Sequence, residues 1–183
     1  MRRLTESGKD LIKVLDGVRS KHLNAFEEEI LSCHRVFVTG LGRSGLMMRG
    51  FAMRLMHLGR RVYHVGDVIT PAIRQGDLLI IGSRTGRSKV RRIFVETAHD
   101  AKARVAVITA DASSKVAEVA DCVLPIDDRT VVDARKRREE PYLPLGSLFE
   151  QALLVVLDQA VVDLMEALDL TERDLERIHT RFE

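Results

Sequence analysis

Two short stretches of this chain crowd glycine, hydroxyl and guanidinium groups between an apolar run and a helix-like segment. The first is Gly40-Leu-Gly-Arg-Ser-Gly45, and the second is Gly82-Ser-Arg-Thr-Gly-Arg-Ser88. A strand that turns sharply into a helix aims free backbone N–H groups and the positive helix end at one spot, which suits a phosphate. Glycine lets the backbone approach the anion closely. Gly42, Arg43 and Ser44 in the first stretch, with Ser83, Thr85, Arg87 and Ser88 in the second, supply the donors. Ser88 by itself reads equally as a helix cap, but a cap needs one hydroxyl and the second stretch offers three.

The third group is a carboxylate. Glu150 closes Ser147-Leu-Phe-Glu150 at the start of a long apolar segment. That spacing is a capping box, in which the glutamate ties down the helix start. It equally suits a general base, since one carboxylate can remove a proton alpha to a carbonyl and return it to the neighbouring carbon through an enediol(ate). The residues alone leave both roles open. No His or Cys spacing suggests zinc, and no metal or other cofactor is expected.

Glycines 40, 42 and 45 also match G-x-G-x-x-G, the dinucleotide fingerprint. That reading requires an acidic residue at the end of the second strand. Here the run is Tyr63-His-Val-Gly66 and Asp67 follows only after the glycine, so the dinucleotide reading is disfavoured.

The elements that must position these groups follow from periodicity. Residues 4–31 place apolar side chains at helical spacing, with Gly17 as a weak point. Strands are expected at 35–39, 61–65, 77–81, 104–109 and 122–126. Helices are expected at 46–58, 89–101 and 114–120, and closing helices at 146–168 and from Thr171 onward. Continuous apolar strands alternating with helices give an α/β fold, a doubly wound five-stranded parallel sheet flanked by helices. One domain is expected over 1–183: N-terminal helices (1–33), an α/β core (35–127), a charged loop (128–145) and C-terminal helices (146–183).

The balance of 29 basic and 27 acidic residues leaves no global field for nucleic acid. Arg135-Lys-Arg-Arg138 is followed directly by two glutamates and reads as a solvated loop. The stretch 152–168 is interrupted by Asp158, Gln159 and Asp163, so no membrane partner is expected. Cys33 and Cys122 lack any metal or redox spacing and read as packed, reduced thiols of a cytoplasmic protein.

The chain resembles the sugar isomerase (SIS) domain family, and within it the 6-phospho-3-hexuloisomerases. The resemblance rests on residues 40–45, Phe51-Ala-Met-Arg-Leu-Met-His-Leu-Gly59, Thr70-Pro71 before Gly76-Asp-Leu-Leu-Ile80, Pro144-Leu-Gly-Ser-Leu-Phe-Glu150 and the C-terminal His179. It implies a SIS-type, flavodoxin-like fold and a metal-independent isomerase of the cytoplasm, without a cofactor. Such an enzyme interconverts 3-hexulose 6-phosphate and fructose 6-phosphate in the ribulose monophosphate route of formaldehyde assimilation or its reverse. The resemblance also implies a phosphate held by both loops, Glu150 as base, His179 assisting at a neighbouring subunit's site, and a homo-oligomer, typically a tetramer. The apolar arc of the 152–168 helix fits such assembly. His57, far from its helix start, is a weaker candidate for a neighbour's site, and His64 reads as an ordinary strand residue.

The second loop departs from the family's usual Ser-Gly-Ser-Gly-Glu-Thr, because Arg84 replaces a glycine and Arg87 a glutamate. If the glycine position needs a left-handed backbone, Arg84 strains the loop. Arg87 instead offers a second guanidinium to the phosphate. Isomerisation of a pentose or heptose phosphate, and a non-catalytic phosphosugar-binding SIS module, are the alternative readings.

Overall fold

The computed structural model describes residues 2–180, with side chains from Leu4 onward. Five parallel strands lie in the order β2-β1-β3-β4-β5. They are β1 (Val36–Gly40), β2 (Val62–His64), β3 (Leu78–Gly82), β4 (Arg104–Thr109) and β5 (Cys122–Pro125). The alternation of strand side chains divides the core. Val36, Val38, Leu78, Ile80, Ala106, Ile108 and Leu124 face one layer, and Phe37, Leu79, Ile81, Val105 and Val107 face the other. Both sets are buried, which is why β1, β3 and β4 carry apolar side chains on both faces.

The first layer holds α1 (Arg2–Asp16), α2 (Ser20–Ser32), α3 (Gly42–His57) and α6 (Ser147–Ala167). Leu11, Val14 and Leu15 bring α1 to that core at helical spacing, and Val18 follows in the connection to α2. The chain breaks at Gly17, so the N-terminal region is two helices. The second layer has α4 (Lys89–Asp100), which packs Val95 and Ala98 on the sheet. By length and composition α6 would pass for a membrane span. Phe149, Ala152, Leu153, Leu157, Ala160 and Leu164 are instead buried in the core, against α1, α2 and α3. Leu154, Val155 and Val162 are the apolar side chains that α6 leaves exposed.

Two expectations fail. Residues 114–120 hold no helix, with consecutive turns at 115–119, although Val116 and Ala117 are still buried. A segment this short gains little from helix nucleation once tertiary contacts bury Val116 and Ala117. The charged loop 128–145 contains α5 (Arg129–Arg137), which buries Val132. Arg135 is no solvated residue: it binds Asp10 through Nε and Nη2 (both 3.0 Å), Glu6 at 3.1 Å and Glu140 at 2.7 Å. The chain ends in α7 (Glu172–Ile178), where the Thr171 N–H donates to the Asp174 carboxylate at 2.9 Å.

Cys33 and Cys122 are buried free thiols. Burial, with Glu29 and Asp121 nearby, pushes the Cys122 thiol up to about 11.

Candidate functional site

Gly40 and Gly82 are register partners, so the two glycine-rich corners leave the sheet side by side. Helix α3 leaves one side of the sheet and α4 the other, so this is the point where the strand order reverses. Open parallel sheets bind ligands outside the carboxyl ends of the strands at such a point.

The first corner closes on itself. A Cβ on Gly45 would stand 2.6 Å from the Gly40 carbonyl oxygen, and one on Gly40 would stand 2.9 Å from the Gly45 Cα. Only two glycines allow that approach. Gly42, at φ +57°, starts α3 earlier than periodicity suggests, so Arg43 and Ser44 belong to its first turn. Ser44 is buried there and Arg43 is exposed.

In the second corner Arg84 does not adopt a positive φ; the left-handed residue is Gly86, at φ +58°. The expected strain at Arg84 is therefore absent. Ser83 is fully buried and its Oγ accepts the Gly86 N–H at 3.1 Å, so it holds the loop from beneath. Thr85 and Arg87 are exposed, and Arg87 forms no ion pair among the described residues. Ser88 stands at the N-cap of α4, yet its side chain makes no capping bond.

Glu150 lies in the first turn of α6 and is buried. The capping box does not form: the N-cap is Gly146, and the Ser147 hydroxyl donates to the Pro144 carbonyl at 2.8 Å. The glutamate instead accepts a bond of 2.5 Å from Arg43 Nε. A buried carboxylate is thus held against the first corner by a residue of that corner, with its helix start beside the second.

His179 is not brought to this place within one chain. Its ring stacks on His57, with centroids 5.0 Å apart, at the far end of α3. That end is about 22 Å from Gly42 at 1.5 Å per residue. The two histidines line a cavity of about 520 Å³ with Arg54, Asp158, Glu172 and Glu176. His57 is buried. Sequence spacing gave no sign of this pair.

His64 has more company than a plain strand residue, since its Nδ1 lies 3.4 Å from Asp67, which Arg49 also binds at 2.9 Å. Burial, with Arg49 nearby, lowers the His64 pKa. Asp67, expected to fail as a ribose ligand, is committed to Arg49.

Comparison with known proteins gives the same architecture. The family model described as "SIS domain" matches residues 29–132. A protein of Bacillus subtilis (strain 168) named 3-hexulose-6-phosphate isomerase is 36% identical over 169 residues, covering 91% of this chain and 89% of that one. One of the same name from Mycobacterium gastri is 42% identical, covering 84% and 74%. A solved structure from Methanococcus jannaschii, for which a function of 3-hexulose-6-phosphate isomerase was inferred, superposes with a TM-score of 0.85 at 28% identity, covering 100% of both chains.

Proposed function

The chain belongs to the SIS domain family and is a sugar-phosphate isomerase, and from that premise we propose that it interconverts 3-hexulose 6-phosphate and fructose 6-phosphate. The observation that carries the proposal is the buried Glu150 carboxylate held by Arg43 beside two adjacent phosphate-type corners.

The phosphate sits across the corners. Backbone N–H groups at the start of α3, with the hydroxyls of Ser44, Thr85 and Ser88, hold it, and Gly42 lets the backbone come close. Ser83 keeps the loop in shape. Arg87 adds charge, and Arg43 steadies the phosphate or a sugar hydroxyl while orienting Glu150.

Glu150 removes the proton from C2 of the open-chain 3-ketose, giving a 2,3-enediol(ate). It returns that proton to C3 while the hydroxyl proton passes from O2 to O3, so carbonyl and alcohol exchange places with atoms and charge balanced. No redox change occurs. His179 of a second copy completes the site, since within one chain it lies at the opposite end of α3. A homo-oligomer, with the tetramer as its expected form, goes with this reading, and the exposed Leu154, Val155 and Val162 of α6 suit such contact.

Turnover of a panel of phosphosugars tests the substrate. The account expects 3-hexulose 6-phosphate and fructose 6-phosphate to interconvert, with pentose and heptose phosphates far slower. Thermal stabilisation by fructose 6-phosphate without turnover would make the chain a sensor. Mixing Glu150→Gln with His179→Ala chains tests the shared site. Recovered activity in the mixture supports it, and none opposes it.

A further inference from the structure

Arg84 occupies a loop position at which the SIS enzymes it resembles usually carry glycine, and its side chain is tied to the other half of the site. Its Nε donates to both carboxylate oxygens of Asp128, at 3.0 and 2.9 Å. Asp128 has a fully buried side chain at the start of α5. The aliphatic arm of Arg84 lies so close to Gly146 that a Cβ there would stand 2.8 Å from Arg84 Cδ. Gly146, at φ +89°, is the N-cap of α6 and precedes Glu150 by one helical turn. The backbone of Arg84 is fixed as well, its carbonyl accepting the Ala110 N–H at 3.0 Å and the Thr109 hydroxyl at 3.2 Å. One residue therefore has its main chain in the second phosphate corner and its side chain wedged between α5 and the start of the helix that bears Glu150.

We propose that Arg84 is a positioning residue, a strut that sets the spacing between the second phosphate corner and Glu150 through Asp128 and Gly146. The proposal rests on the isomerase reading above for its kinetic consequence. The phosphate anchors the substrate at C6 and the proton moves between C2 and C3, so the distance from corner to carboxylate decides whether the carboxylate meets the right carbons. A guanidinium held by both oxygens of one buried carboxylate is a rigid spacer. Neighbouring charges stiffen the same region: Arg129 binds Asp111 at 3.0 Å and Asp127 at 2.8 Å. Glycine at position 84 could span nothing.

The test compares Arg84→Met, Arg84→Lys and the double variant Arg84→Met with Asp128→Asn. The single Met variant leaves a buried carboxylate without its cation and melts lower. The double variant removes that charge and regains most of the melting temperature. A strut predicts that kcat stays about 100-fold down in the double variant, the scale of an ångström-sized misplacement. The Kd for inorganic phosphate stays within about 3-fold, and Arg84→Lys recovers part of kcat. If kcat returns with the melting temperature, Arg84 only stabilises the fold and the proposal is overturned. Wild-type protein without turnover would sink the isomerase reading separately. The strut is then judged on binding, where the preference for fructose 6-phosphate over inorganic phosphate must fall about 10-fold in the double variant. An unchanged preference overturns it.

Discussion

The first corner can be opened by a single methyl group. In Gly45→Ala the new Cβ would stand 2.6 Å from the Gly40 carbonyl oxygen and 3.0 Å from its carbon. Both are backbone atoms of a central strand and cannot swing aside. Relieving the contact costs about 3 kcal/mol, at the upper end for overpacking. Alanine in place of glycine inside a helix returns about 1 kcal/mol, leaving a net loss of about 2 kcal/mol. For a domain of this size that lowers Tm by about 4–8 °C. Gly50→Ala, in the same helix with nothing within 4 Å, is the control and should gain about 1 kcal/mol, or about 2–4 °C. Differential scanning fluorimetry with and without saturating fructose 6-phosphate reads both effects. Gly45→Ala should also lose most of the ligand-induced rise in Tm, because the parting of Gly40 from α3 disperses the N–H groups that face the phosphate. Equal melting and equal ligand response in Gly45→Ala and wild type would refute the corner geometry.

Other outcomes follow from the same coordinates. Arg87→Glu should raise KM for the phosphosugar and flatten its salt dependence with the fold unchanged, because Arg87 is exposed and enters no ion pair among the described residues; unchanged kinetics would remove it from the site. Leu157→Ala empties a fully packed position on α6 and should cost about 2–5 kcal/mol in denaturant unfolding. Burial beside Asp163 raises Glu27 to about 7 from an ordinary value of 4.5, so the folded state holds the extra proton between those values. Stability attributable to Glu27 therefore falls as pH rises from about 4.5 through 7. Glu27→Gln should raise Tm more at pH 8 than at pH 5, and a pH-independent difference would contradict the assignment. The Cys122 thiol, raised to about 11, should resist iodoacetamide at pH 7.5 until the protein unfolds.

β1, β3 and β4 were readable because each is a mostly apolar run buried on both faces, and the corners because glycine, serine and arginine cluster where those runs end. Helix α5 was hidden by its charges. Its partner for Arg135 is Asp10, distant in sequence, and only the fold turns that dense run into an ion-pair hub. Turns at 115–119 look helical by composition but are held by a few tertiary contacts. Glu150 was legible as a candidate, while its commitment to Arg43 rather than to a capping box depends on how α3 and α6 meet. Arg84 appeared as a hazard to the loop; Asp128, its partner, carries no local sequence signal linking the two.

Proton shuttling by Glu150 is tested most directly by the kcat of Glu150→Gln. The amide still accepts the Arg43 hydrogen bond and fills the same space, but it cannot carry a proton. The account predicts kcat lower by about 10³-fold, with Tm and fructose 6-phosphate binding nearly kept. Turnover within a few fold of wild type in a folded, ligand-binding variant would contradict it.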